Sequence, residues 1–249
     1  MNSCLAEVAG AASCQTGWRS QFARPHGLLG WLAGHLLAVK NRRRSEWVLS
    51  LLDTRAGEHV LEIGFGPGVD VLRISELVEH GFVAGIDPSR EMVRQAAKRN
   101  ALMVEAGLVE LLCTSAERIP YPANSFDKVF AINSLQFCSD LPRVLHEIRR
   151  VLKPGGVLTA AIQPRSPGAT ERTVDQVEAA LRNSLDEGDF SWLRRERKLM
   201  KPVSCVCVQA AKPVETGRYW DHDGAPVEQP VTVERGKGFA GFGQAAKIF

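Results

Sequence analysis

Short apolar runs alternate along this chain with stretches whose apolar residues recur every three or four positions. Runs at 59–63, 82–87, 109–113, 127–133, 157–162, 193–199 and 203–210 have the length and composition of strands. Between the fourth and fifth, Leu141, Val144, Leu145, Ile148 and Leu152 recur at helical spacing behind Asp140, a favoured N-cap. That helix is expected to stop at Lys153-Pro154-Gly155-Gly156, where proline and glycine break the pattern. Thr170 to Asp186 carries Val174, Val177, Leu181 and Leu185 on one face and predicts another helix. Strands and helices in this order predict an α/β domain, its mostly parallel sheet covered on both faces. The last two strands follow one another too closely for a crossover helix and are expected as an antiparallel hairpin.

The pattern weakens at both ends, which divides the chain into 1–26, 27–52, 53–211 and 212–249. Residues 1–26 are rich in small residues without a period and predict a flexible extension, and 212–249 a poorly ordered tail. Gly27 to Val39 is apolar for 13 residues, short of the ~20 a spanning helix needs. With Trp31 on it and Lys40 behind it, this segment reads as an amphipathic helix. It is expected either as a lid over a substrate mouth or as a contact for a lipid or membrane surface.

A formal charge of +3 spread along 249 residues leaves no footprint for nucleic acid. Its one concentration, Arg42-Arg43-Arg44, is expected as a solvated helix end. The six cysteines form no CxxC pair and match no histidine spacing, so a zinc site, or any metal, and a secreted disulfide framework are not expected. A reducing cytoplasmic setting fits. Cys205 and Cys207 stand two apart in an apolar run, share one strand face, and are expected to be buried and inert.

The clearest chemical signal is His59 to Asp70, HVLEIGFGPGVD, where a strand carrying Glu62 opens into Gly64, Gly66 and Gly68. Three glycines within five positions demand positive φ or a ligand packed on bare main chain. The dinucleotide fingerprint GxGxxG fits poorly, because Val69 stands where its last glycine or alanine belongs. Asp87 ends the second strand 19 residues past Gly68, placed to accept from both hydroxyls of an unphosphorylated ribose. Its other reading is a cap for the helix beyond Pro88. Glu62 reads either as the partner of a ligand cation or as a paired strand-end charge.

The ordered segments VLEIGFGPG, GIDPSREMVRQA, SFDKVFAINSLQF and LHEIRRVLKPGGVL, within about 45–210, resemble the motif set of class I S-adenosylmethionine-dependent methyltransferases. They are similar in particular to the small-molecule enzymes of ubiquinone and menaquinone biosynthesis. The resemblance implies a Rossmann-like, doubly wound, seven-stranded, mostly parallel sheet whose antiparallel last strand inserts beside the fifth. It also implies S-adenosyl-L-methionine as cofactor, held by Glu62, Gly64, Phe65, Gly66, Gly68, Asp87, Pro88, Met92, Ser115, Ala116, Glu117 and Asn133. Its ammonium would face Glu62 and its carboxylate the N–H groups of Gly66 to Gly68. Many relatives carry aspartate where this chain has Ser115, whose hydroxyl is a weaker acceptor for the adenine amino group. Met92 would lie against adenine or in the core.

Ligands of open α/β sheets bind outside the carboxyl ends of the strands, which makes Ser134, Gln136, Gln163 and Arg165 the substrate candidates. The expected reaction is in-line methyl transfer by positioning to a small-molecule acceptor, a lipophilic one among the candidates, without a dedicated base. His146 would be a base only if it faced the cleft. A nicotinamide oxidoreductase and a non-catalytic S-adenosylmethionine-binding protein are the alternatives.

Overall fold

The computed structural model describes residues 42–214 and the pairs 219–220 and 226–227. The expected extension at 1–26 and the apolar segment 27–39 lie outside the described residues, as does most of 212–249. The seven strands are β1 His59–Ile63, β2 Phe82–Asp87, β3 Val109–Cys113, β4 Phe126–Ile132, β5 Leu152–Ile162, β6 Ser191–Lys198 and β7 Cys205–Ala211. They form one sheet in the order β3-β2-β1-β4-β5-β7-β6. Neighbours from β3 through β5 pair in parallel, and β7 runs antiparallel to both β5 and β6. The strand order reverses between β1 and β4, the crevice where sheets of this type take ligands.

Both faces are covered. On one lie α5, Leu141–Val151, and α6, Glu171–Glu187, whose Val144, Leu145, Ile148, Val174, Val177 and Leu181 are fully buried. On the other lie α2, Val69–Leu77, and α3, Arg90–Arg99, followed by the short α4, Ala101–Glu105. Val71, Ile74, Met92 and Ala96 form a second core there with Val60, Phe65, Val83 and Phe130. A helix described over 42–52, here α1, adds Leu49 and Leu52 to that core, and packs Val48 against Ala161, Cys205 and Cys207. Burial pushes both thiols up to about 12, so they are neutral packing groups. By itself, the chain from Val214 holds a two-stranded antiparallel pair, β8 Tyr219–Trp220 with β9 Pro226–Val227.

α1 lies along β5 in the opposite direction. Arg44 reaches Gln163 just past the strand's carboxyl end. Val48 packs on Ala161, and Gln209 bridges the Leu51 carbonyl to Thr159. Lys128 then fastens the helix end, donating to the Leu52 carbonyl at 2.9 Å and to that of Asp53.

One boundary differs from the sequence pattern. The helix ends at Val151, and Lys153 to Gly156 belong to β5, which begins at Leu152. The proline and glycines make an irregularity within the strand, opposite the register shift between Phe126 and Lys128 in β4. Gly155 takes φ 77°, and Gly155 and Gly156 exchange backbone hydrogen bonds with Lys212 at 2.9 Å. Pairing across the sheet absorbs a local stop signal, and the ordered edge reaches Lys212.

Candidate active site

The three glycines of the first loop all have positive φ, 73° at Gly64, 54° at Gly66 and 72° at Gly68, yet they serve different ends. A Cβ at Gly64 would stand 2.5 Å from Ser134 Cβ, and one at Gly68 would stand 2.5 Å from Ala96 Cβ. Those two positions let the ends of β1 and β4, and of α2 and α3, approach closely. A Cβ at Gly66 would meet nothing within 4 Å. Gly66 is thus the glycine that borders open space.

The loop is tied down from α3 and α4. Asn100, almost fully buried, donates to the Gly68 carbonyl at 3.0 Å and the Ala96 carbonyl at 2.8 Å, and Arg99 donates to the Pro67 carbonyl. The loop amides are committed as well. Gly66 N–H donates to Asp87 Oδ2 at 3.0 Å, Gly68 N–H to the Phe65 carbonyl at 3.0 Å, and Pro67 has none. The amides expected to face a ligand carboxylate thus donate to the protein's own acceptors here.

Two buried carboxyls, Glu62 and Asp87, and the half-buried Asp70 gather at this end of the sheet. Asp87 also accepts from Ser89 N–H at 2.8 Å, and it is Ser89, two residues on, that caps α3, so the cap reading of Asp87 is corrected. Burial raises the Asp87 pKa against these two amide bonds. Glu62 is held well above the usual carboxylate range, first by burial, then by Asp70 and Asp87, against the Val71 backbone amide in the first turn of α2. Its Oε2 has no hydrogen-bond partner. Asp70 is raised by burial too, offset by the Ser45 hydroxyl and by Arg73 at 3.2 Å. A solitary acceptor among carboxyls suits a cationic group, and the rim at Asp87 suits hydroxyl donors. Ammonium, ribose and sulfonium are what S-adenosylmethionine would bring, so these residues fit it.

The carboxyl ends of β4 and β5 are joined through Asn133, which takes φ 53° and whose Oδ1 accepts from Gln163 N–H at 2.7 Å. Ser134 donates its hydroxyl to the Ile63 carbonyl at 2.6 Å, tying the end of β4 to β1. Gln136, on the 3-10 turn Leu135–Phe137, keeps a buried Oε1 without a partner. Gln163 is buried, and its Oε1 accepts from Arg44 at 2.9 Å and Arg165 at 3.3 Å.

Several candidates sit elsewhere than expected. The Phe65 side chain lies in the core over Gly85, where a Cβ would come within 2.6 Å of its ring. Met92 belongs to the same core and Ala116 to that of the opposite face. Pro88 and Ser115 are exposed, and the Ser115 hydroxyl accepts from Glu117 N–H at 3.3 Å as a turn residue. Glu117 binds the Ser139 hydroxyl and its carbonyl accepts from Arg143. His146 is exposed in a groove between α5 and α6 with Pro142, Arg149 and Glu187, not in the cleft. Among the described residues, no cluster of three His, Cys, Asp or Glu could hold a metal ion, and no helix is long and apolar enough to cross a membrane.

The sequence pattern missed Arg44, Asp70 and Asn100. Arg42 and Arg43 are exposed as expected, but Arg44 is only 2% exposed. Helical spacing was the available signal, since Arg44, Val48 and Leu52 recur at intervals of four on the face that carries α1 onto the sheet.

The methyltransferase domain family matches residues 61–160, from β1 to β5. The uncharacterized methyltransferase YdaC of Bacillus subtilis is 30% identical over 73% of this chain and 98% of its own length. A demethylmenaquinone methyltransferase of Symbiobacterium thermophilum is 35% identical over 41% of each chain. The crystal structure of a SAM-dependent methyltransferase from Aquifex aeolicus superposes with a TM-score of 0.56 and 28% identity, covering 67% of this chain and 88% of that one. With the glycine loop, the carboxylates behind it and the inserted antiparallel strand, these likenesses place the chain in the class I S-adenosylmethionine-dependent methyltransferases.

Proposed function

We propose that this chain transfers a methyl group from S-adenosyl-L-methionine to a small-molecule acceptor seated over the carboxyl ends of β4 and β5. The observation that carries the reading is the unpartnered Oε2 of Glu62, buried behind Gly66, whose missing Cβ leaves open space. Glu62 would hold the ammonium of the methionine end, and Asp87, already oriented by Gly66 and Ser89, would accept from the ribose hydroxyls. When bound, the cofactor supplies an already activated methyl, so the protein's part is orientation and exclusion of water.

Asn133, Gln136 and Gln163 border the acceptor side, and none of these side chains titrates near neutral pH. They suit positioning a nucleophile rather than removing its proton. Phe137, 60% exposed on the turn beside Gln136, offers a face for an apolar part of the acceptor. Calorimetric titration with S-adenosylhomocysteine tests the reading. Binding is expected, with Glu62→Gln weaker by roughly 10- to 100-fold, the span of a lost charged hydrogen bond. No binding, or equal affinity in the variant, overturns the site.

A further inference from the structure

Two guanidinium groups meet at the carboxyl end of β5 without a carboxylate between them. Arg44 comes from α1 and donates Nη1 to Gln163 Oε1 at 2.9 Å; Arg165, just past β5, donates Nη2 to the same oxygen at 3.3 Å. Gln163 is oriented for this by its own Nε2, which donates to the Val203 carbonyl at 2.8 Å and the Lys201 carbonyl at 3.2 Å. Arg44 Nε is buried and has no partner.

Elsewhere among the described residues, several arginines have acids. Arg150 pairs with Glu147, Arg195 with Glu178, and Arg197 with Asp175 and Glu178. Among the described residues neither Arg44 nor Arg165 has such a pair. The groups that face Arg44 are Arg165, Cys205 and Asp70. Cys205 is a neutral thiol, and the Asp70 carboxyl, whose charge acts on Arg44 without a salt bridge to it, is engaged by Ser45 and Arg73. Burial and the neighbouring Arg165 hold Arg44 down to about 10. One amide oxygen does not neutralise two cations, and a buried cation without a counter-charge is costly unless something else supplies it.

We propose that Arg44 and Arg165, converging on Gln163, form a seat for an oxyanion, carboxylate or phosphate, carried by the methyl acceptor. This rests on the methyl-transfer reading above and names the class of acceptor it implies. The placement favours the acceptor over the cofactor. The cofactor's carboxylate shares a carbon with the ammonium read onto Glu62, and β1, which carries Glu62, is separated from β5 by β4; two strand spacings of ~4.8 Å put their ends about 10 Å apart. A planar guanidinium pair suits the geometry of an oxyanion. With Phe137 exposed on the neighbouring turn, the acceptor would combine an acidic group with an apolar part.

The test uses the full chain saturated with S-adenosylhomocysteine and titrated with inorganic phosphate, followed by calorimetry and thermal unfolding against chloride at equal ionic strength. Phosphate is expected to bind and raise the melting temperature, with affinity reduced about tenfold or more in Arg165→Ala and Arg44→Gln. Arg165 is exposed, so Arg165→Ala keeps the question answerable if Arg44→Gln fails to fold. Absence of a phosphate effect, or an equal effect in Arg165→Ala, overturns the seat. If phosphate instead displaces S-adenosylhomocysteine but not 5′-methylthioadenosine, which lacks the amino acid, the seat serves the cofactor's carboxylate and the acceptor assignment falls. Failure of S-adenosylhomocysteine to bind overturns the methyl-transfer reading, while phosphate titrated onto the unloaded chain still reports on the arginines.

Discussion

The two halves of the sheet's carboxyl edge carry opposite charge. At the ends of β1 and β2 stand the buried carboxyls of Glu62 and Asp87, with the half-buried Asp70 of α2, and burial first of all raises all three pKa values. At β5 Arg44 and Arg165 converge on Gln163, and burial lowers both. On the proposed reading, a cationic ammonium and sulfonium would relieve one side and an anionic acceptor the other. Perturbed groups at a cleft are an expected mark of binding sites.

The largest effect is expected where the acidic half is built rather than where it binds. Gly68→Val puts a Cβ within 2.5 Å of Ala96 Cβ and 2.9 Å of Ala96 Cα at a φ of 72°. It should destabilise the fold by about 3 kcal/mol or more, read by chemical denaturation. Gly66→Val, with open space at its Cβ, should carry only the backbone strain of roughly 1–2 kcal/mol. It should stay folded but no longer bind S-adenosylhomocysteine. Equal destabilisation by the two would erase the distinction between a packing glycine and a ligand-facing one.

Next in size, Asp87→Ala removes the acceptor shared by Gly66 and Ser89, and should weaken S-adenosylhomocysteine by ~1–3 kcal/mol in calorimetry. Its phosphate affinity should be unchanged, since the basic half is separate. Glu62→Gln sharpens the electrostatic side. Because the Glu62 pKa is raised in the fold, the native chain keeps a proton that the unfolded chain has released, so ligand-free stability falls as pH rises through the raised value. The glutamine variant should show a shallower fall, not a flat line, because Asp70 and Asp87 are raised too. Denaturation midpoints across pH measure it. The smallest effect belongs to Ser134→Ala, which loses one hydrogen bond to Ile63. It should cost about 1 kcal/mol of stability and leave S-adenosylhomocysteine affinity nearly unaltered.

The sheet was readable in the sequence because most strands are apolar runs bounded by turn residues, the charged edge strand β6 apart, and β1 to β3 fall at the expected positions. Lys153 to Gly156 misled because turn chemistry is local, whereas pairing with Lys212 depends on a distant strand. In the candidate site, a glycine loop between acids at strand ends made Glu62, Gly66 and Asp87 a signal visible in the sequence. The Ile63 contact of the Ser134 hydroxyl and the core position of the Phe65 ring were not visible, because sequence adjacency to the loop says nothing of which way a side chain turns. Arg44 was hidden in a run of three arginines, and only the helix face that buries it shows which one matters.

The most direct measurement is calorimetric titration of the chain with S-adenosylhomocysteine in two buffers of different ionisation enthalpy. Below the raised Glu62 pKa, tight binding should come with proton release, as the buried carboxyl ionises against the ligand ammonium, and Glu62→Gln should lose both the release and much of the affinity. Binding that is equally tight and proton-neutral in the wild-type chain and in the glutamine variant would contradict Glu62 as the ammonium's partner.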